Sequence, residues 1–301
     1  MYKIAVFDYR ILPNEQKIIQ ELASNPIYFP KKLCLKSELI SKTADAEIVL
    51  VTPWDKIDKD YLDACPNIKY IGLCGTSMHN LDINEIKKRG ITYTNIVSKD
   101  KEPVAEFFFM HLVSLLRGSG KYQWIQNQSH ELAGKSVGII GLGHVGQAIA
   151  HLALAYKTNV KYYSKTRKYK WEELGVQYTN LNDLLKNSNI IFICTPTNVK
   201  VMHESEFNLL QKNTIIIQAS GGSPFDQNAF IKWVKIQDNY AIFDMSANEQ
   251  NYELYSKLPG VIFSREVAGV TYESNQRRGY NILKNLRSYI NSPKINFIKY
   301  F

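Results

Sequence analysis

The chain has 301 residues and a formal net charge of +9, with 45% hydrophobic and 22% charged residues. Such a length holds one or two domains with substantial cores, and the composition is that of an ordinary soluble protein. The lysines are spread over the whole chain without a basic block, which argues against nucleic acid as a partner. The longest apolar run, residues 107–116, contains His111 and Ser114 and is too short to span a bilayer.

Cys34, Cys65, Cys74 and Cys194 are scattered, with no C-x-x-C pair, and read as free thiols rather than disulfides or a metal site. The first strand opens without an apolar leader, so the expected place is the cytoplasm.

Residues 3–7, 47–51, 68–73 and 92–94 read as strands. Residues 14–22, 58–64 and 84–89 read as the helices between them, the last stopping at Gly90. Strands and helices alternating at this spacing predict a small open parallel α/β unit, which binds ligands at the carboxyl ends of its strands. The loop after residues 68–73 therefore supplies candidate substrate contacts: Gly75, Thr76, Ser77 and His79. Residues 103–116 form a helix apolar almost all round, expected to be buried between domains or subunits.

Val137, Ile139 and Ile140 then form a buried strand, followed by Gly141, Gly143 and Gly146 at the G-x-G-x-x-G spacing and by an apolar helix. The first glycine permits the tight turn. The second lets backbone approach a pyrophosphate, and the third lets the helix lie against the strand. The phosphates then sit at the helix N-terminus, near His144 and Val145, where unpaired N–H groups and the dipole favour anions. Strands at 159–163, 190–194, 214–218, 240–244 and 261–264 alternate with helical pieces, and a long helix covers 272–290.

The succession of Tyr70-Ile-Gly-Leu-Cys-Gly-Thr, Leu81-Asp82, Val104-Ala-Glu106, the glycine turn, Thr195-Pro196, Asp244 and Glu249 resembles the D-isomer-specific 2-hydroxyacid dehydrogenase family over nearly the whole chain. The resemblance implies a Rossmann-type doubly wound cofactor domain at residues 99–271. It implies a smaller flavodoxin-like substrate domain at 1–98 completed by 272–301, with the active site in a cleft that opens and closes. It adds Thr195, Pro196, Ala219, Ser220, Gly221 and Asp244 as cofactor contacts. It also implies a homodimer, although the connection between residues 117 and 134 is short and leaves the family's dimer arm truncated. The cluster at residues 107–109 reads either as a dimer face or as buried packing.

The nucleotide is read from the tail of the second strand. An acidic residue there accepts the ribose hydroxyls of NAD. Here Ser164 holds that position and Lys165, Thr166, Arg167 and Lys168 follow, a set of cations suited to the 2′-phosphate of NADP. NADPH is the expected cofactor, with NAD the alternative.

The family reduces 2-keto acids with an arginine that holds the carboxylate, a histidine that donates the proton and a glutamate that orients it. In this chain Gly221 stands at the arginine position and Glu266 at the histidine position, while Glu249 keeps the glutamate. Two readings stand. In one, the protein is an oxidoreductase with an altered carbonyl or imine substrate. Glu266 and Glu249 lie close together, one of them protonated, with Arg265 opposing that protonation and His79 a further candidate donor. In the other, it binds the nucleotide without turnover, as a sensor or scaffold.

Overall fold

The computed structural model describes residues 1–31, 35–76, 78–96, 101–125, 128–197 and 199–292, apart from the side chains of Lys36, Asn248 and Glu249. Cys34 and Ser77 lie outside them. Contacts divide the chain into two units, Met1–Lys99 with Thr271–Phe301, and Asp100–Val270.

The elements run β1 (Ile4–Val6), α1 (Pro13–Leu22), α2 (Lys36–Thr43), β2 (Ile48–Val51), α3 (Lys59–Ala64), β3 (Tyr70–Leu73), α4 (Ile83–Lys88) and β4 (Thr92–Asn95). The second unit begins with α5 (Glu102–Arg117), β5 (Ser136–Ile140), α6 (His144–Ala155), β6 (Asn159–Tyr163), α7 (Tyr169–Glu172) and β7 (Gln177–Tyr178). Then come α8 (Leu181–Lys186), β8 (Ile190–Ile193), α9 (Glu204–Phe207), β9 (Ile215–Gln218), α10 (Gln227–Val234) and β10 (Tyr240–Phe243). The chain closes with α11 (Met245–Asn248), a 3-10 turn Glu249–Asn251, α12 (Tyr252–Tyr255), β11 (Val261–Phe263) and α13 (Tyr272–Asn291).

The first unit is a parallel sheet in the order β1-β2-β3-β4. Alternation along β2 sorts its side chains to two faces: Val49 and Val51 join one core cluster, Ile48 and Leu50 the other. The second cluster is completed from the far end of the chain by Ile282, Leu283, Leu286 and Tyr289 of α13, with Tyr289 stacked on Tyr70 at 4.5 Å. Thr271 caps α13: its Oγ1 accepts from the Ser274 N–H at 3.1 Å. Thus the C-terminal helix belongs to the N-terminal sheet.

The second unit is a seven-stranded parallel sheet, β11-β10-β9-β8-β5-β6-β7. Central strands covered on both faces must be apolar throughout. β8 obeys this, with Ile190 and Phe192 packed on one face and Ile191 and Ile193 on the other. The strand order reverses between β8 and β5, so a crevice opens beyond their carboxyl ends. α5 buries Phe108, Phe109, Leu112, Leu115 and Leu116 in this unit's own core. Phe109 stacks on Tyr156 and Phe192, so the aromatic cluster is packing rather than an open dimer face, and Met110 is the one apolar side chain of α5 that is exposed. Among the described residues no helix is long and apolar enough to cross a membrane.

Four elements escape the sequence pattern: α2, β7, α11 and α12. The two-residue strand β7 is exposed and α11 and α12 are single turns, so none has a period to read. α2 is mostly polar, and Leu39 is held instead by tertiary packing beside Thr43, whose hydroxyl accepts from Tyr61 at 3.1 Å.

Leu286 is fully buried beneath α13. Leu286→Ala should destabilise the first unit by about 3 kcal/mol, read by denaturant unfolding with Trp54 fluorescence as the probe, and should leave nucleotide affinity unchanged.

Candidate functional site: a nucleotide crevice and a substrate-side loop

β5 ends at Ile140 and turns at Gly141, whose φ of +97° is left-handed backbone open to glycine. A Cβ on Gly141 would also lie 2.7 Å from the Cys194 carbonyl oxygen. A Cβ on Gly146 would lie 2.1 Å from the carbonyl oxygen of Gly141, so α6 can approach the turn only without a side chain there. Gly143 differs. It has ordinary backbone angles, and a Cβ there meets nothing within 4 Å. Nothing in the protein's own packing demands that glycine; the open space before the α6 N-terminus does. His144 and Val145 begin that helix, and their N–H groups point to the same end.

The crevice beyond the turn is a cavity of about 830 Å³. Gly141, Gly143, His144 and Val145 line it, as do Ser164, Lys165, Thr166 and Lys168, and Thr195, Pro196 and Ala219. Lys200, His203 and Glu206 belong to the same wall. Arg167 departs from expectation. It does not line the cavity: its guanidinium makes a two-pronged pair with Glu172 at 2.6 and 2.9 Å and lies over the rings of Tyr169 and Tyr178. The cations that face the cavity are Lys165, Lys168 and Lys200.

The donor set fits a dinucleotide. Thr195 Oγ1 and Ser220 Oγ are buried hydroxyls with no hydrogen-bond partner among the described residues, and Gly143 leaves a gap of the kind a phosphate fills. Gln218 organises the strand-end loop. Its Nε2 donates to the carbonyls of Ser220 and Ala247, both at 2.9 Å, and fixes the loop that carries Ala219, Ser220 and Gly221. Sequence reading passes over Gln218 because its role is three-dimensional.

Gly221 lies beside Thr197 and Ser246, where a Cβ would come 3.3 Å from Thr197 Oγ1. Asp244, at the end of β10, does not line the cavity. It is buried and accepts from Ser246 Oγ at 2.7 Å, Ala268 N–H at 2.8 Å and Ala247 N–H at 2.9 Å. Burial pushes its pKa up while these donors pull it down, leaving it above the usual value. Asp244 thus staples the segment around Glu266 to the sheet, helped by the Met245 N–H bond to the Glu266 carbonyl at 2.9 Å.

Glu266 is exposed, and among the described residues its carboxylate has no hydrogen-bond or ion-pair partner. Arg265 turns from it to the Tyr252 hydroxyl at 2.8 Å. Glu249 begins the 3-10 turn, and its side chain lies outside the described residues. His111 of α5 is hidden in an apolar run, yet its Nε2 is buried without a partner among the described residues. Burial lowers its pKa, and the Glu266 carboxylate acts in the opposite sense.

In the first unit, the loop after β3 has its carbonyls tied inward. Cys74 O accepts from Arg10 Nη2 at 3.2 Å, Gly75 O from Ile96 N–H at 3.1 Å and Thr76 O from Asn95 Nδ2 at 2.9 Å. The N–H groups of Gly75 and Thr76 have no acceptor among the described residues. His79 is exposed in the following turn.

A parallel sheet with this glycine turn at its switch point defines a dinucleotide-binding protein. Comparison with known proteins narrows the class. Residues 110–265 match the NAD binding domain of the D-isomer specific 2-hydroxyacid dehydrogenases. The glyoxylate reductase of Thermococcus litoralis is 30% identical over 95% of this chain and 94% of its own. The chain belongs to the D-isomer specific 2-hydroxyacid dehydrogenase family, NAD(P)-dependent oxidoreductases acting on a CH–OH/C=O pair.

Two solved structures share the fold. Apo D-lactate dehydrogenase from Escherichia coli has a TM-score of 0.81 at 21% identity, covering 98% of both chains. An acyclic imino acid reductase in complex with NADPH and D-Arg has a TM-score of 0.78 at 22% identity, covering 99% of this chain and 100% of its own.

Two predictions follow from these contacts. Gly143→Ala should keep the fold and lose nucleotide affinity by tenfold or more, about 1.4 kcal/mol, whereas Gly146→Ala should unfold the turn; thermal melts with and without nucleotide separate the two. The folded state favours neutral His111, so the stability this group contributes is whole above pH 6.5 and is lost as pH falls through its lower folded value. The stability of His111→Leu relative to the native chain should therefore improve as pH drops below 6.5, measured by denaturant unfolding.

Proposed function

We propose that this protein is an NADPH-preferring cytoplasmic reductase with an atypical catalytic centre, acting on a small carbonyl compound or the corresponding imine. The observation that carries the nucleotide choice is the charge around the end of β6. Ser164 offers a hydroxyl where an NAD enzyme needs a carboxylate, and Lys165, Lys168 and Lys200 face the same cavity. A 2′-phosphate is doubly charged and finds cations there without a carboxylate to repel it. Glu206 is the carboxylate on that wall, and its oxygens are already engaged by the His203 N–H at 2.8 Å and the Ser205 hydroxyl at 3.0 Å.

The bound nucleotide supplies the hydride. The protein has to hold the substrate and provide a proton to the reduced oxygen or nitrogen. Glu266 occupies the family's histidine position, and its charge favours a proton on His111. Glu266 stands at the exposed end, while burial keeps His111 on the neutral side despite that charge. An imine protonated in water brings its own proton and does without the donor. The acyclic imino acid reductase that shares this fold was solved with NADPH, which supports keeping imines among the candidate substrates. Met110 and Tyr156, 57% and 43% exposed, supply the outward apolar surface through which the chain pairs as a homodimer.

Fluorescence titration should give a dissociation constant for NADPH at least tenfold below that for NADH, about 1.4 kcal/mol. The Lys165→Ala, Lys168→Ala double variant should bring the two close to parity. Equal constants in the native chain would overturn the nucleotide assignment. NADPH absorbance followed with glyoxylate, with hydroxypyruvate, and with glyoxylate plus an amine then separates the chemistries. Oxidation only when the amine is present supports an imine substrate. Fast turnover of the plain keto acids refutes the atypical centre. Tight NADPH binding with no oxidation in any mixture supports the sensor reading, which the residues at 221 and 266 favour.

A further inference from the structure

The loop at residues 164–168, which brings Lys165 and Lys168 to the cavity, is held from behind. Alternation along β6 sends Tyr163 to the cavity and Tyr162 to the other face, where its ring is fully buried in the core with Val160. From there the Tyr162 hydroxyl reaches the loop. It accepts from the Lys168 N–H at 2.7 Å and donates to Glu172 Oε1 at 2.9 Å. The Lys168 carbonyl accepts from the Trp171 N–H at 2.9 Å, so the backbone of Lys168 is bound on both sides. Glu172, at the end of α7, holds Tyr162 and the Arg167 guanidinium with the same carboxylate.

Lys165, Arg167 and Lys168 crowd three cations into a short stretch, and like charges so close repel. Glu172 draws one of them away from the cavity and leaves the two lysines facing it. The four-residue α7 is too short to stand on its own hydrogen bonds, so Glu172 and the side chains it holds fix one another. Arg167 keeps the Glu172 carboxyl below its usual value, and the Tyr162 hydroxyl acts in the same sense against burial. Burial pushes the Tyr162 phenol up. At neutral pH the acceptor is therefore charged and the donor keeps its proton. A lysine on a loose loop loses backbone freedom when it meets a phosphate, and a loop already fixed at Lys168 has lost part of it beforehand.

We propose that Tyr162 and Glu172 are positioning residues for nucleotide selectivity: from behind the loop they hold the Lys168 backbone and Arg167 so that Lys165 and Lys168 are presented to a 2′-phosphate before the nucleotide arrives. Neither residue lines the cavity. Their effect is confined to the phosphorylated nucleotide, because the ribose hydroxyl of NADH carries no charge for the lysines to meet. The inference rests on the NADPH preference proposed above.

The test measures dissociation constants of the full-length protein for NADPH and NADH by fluorescence titration. Tyr162→Phe keeps the buried ring and removes the hydroxyl. It should raise the NADPH constant about tenfold, as the loop leaves its binding-competent form, and hold the NADH constant within about twofold. A residue that only holds the fold together would weaken both nucleotides alike. Glu172→Ala should act in the same direction as Tyr162→Phe. Glu172→Gln, which keeps an acceptor for the Tyr162 hydroxyl, should retain part of the selectivity. Tyr162→Phe leaves buried bonds unmade, so a measurement on the unaltered protein accompanies it. In the nucleotide-free native chain the Lys168 amide should exchange with solvent about tenfold or more slowly than an unstructured amide.

Free exchange at Lys168 in the native chain overturns the inference. So does Glu172→Ala binding NADPH more tightly, since the released Arg167 then serves the phosphate itself. Native constants well apart, with their ratio unchanged in folded Tyr162→Phe, overturn this inference alone and leave the NADPH reading standing. Native constants that are equal overturn the NADPH reading, and the selectivity role falls with it.

Discussion

The second unit depends on one close approach. The start of α6 passes the turn after β5 so tightly that a single methyl group on Gly146 would overlap the Gly141 carbonyl. That approach fixes the helix N-terminus at the carboxyl edge of the sheet, at the reversal of strand order. The free N–H groups and the dipole then converge on one point in space. The same requirement sets the neighbouring backbone, because Gly141 must also clear the carbonyl of Cys194 at the end of β8. Phosphate binding is therefore a consequence of how two parallel strands and one helix pack, and the open space at Gly143 is its imprint.

Much of this was legible in the sequence. Short apolar runs and glycine spacing carry strong local signals, and the strands of both sheets, β7 excepted, fall where alternation with helices puts them. The docking of α13 onto the first sheet was legible only through family resemblance, because nothing local in residues 272–291 names its partner. Arg167 shows where local reading stops. It sits in a basic stretch after β6 and looks equivalent to its neighbours. Glu172, five residues on, captures it in a bidentate pair, since a planar guanidinium finds a carboxylate at that distance more readily than solvent. Gln218 and His111 show the converse. One is a polar residue at a strand end and the other a histidine in an apolar helix, and each gains a role only when distant segments fold around it.

Asp244 links nucleotide site and chemistry without touching the cavity. A buried carboxylate is stable where it accepts several hydrogen bonds, and its donors come from both α11 and the segment around Glu266. The position of Glu266 is thus fixed by a staple that stands outside the cavity.

The two replacements proposed at Gly221 and Glu266 differ in physical consequence, which is why they need not both be repaired in the same way. Losing an arginine removes a permanent charge, and only another permanent charge restores a grip on a carboxylate that holds at every working pH. Losing a histidine removes a group that must give up and regain its proton each cycle. Without it the proton has to come from another donor or from a substrate that already carries one. Carboxylate recognition and proton supply are separable demands: the first needs a fixed charge, and the second needs a group or a substrate that exchanges a proton.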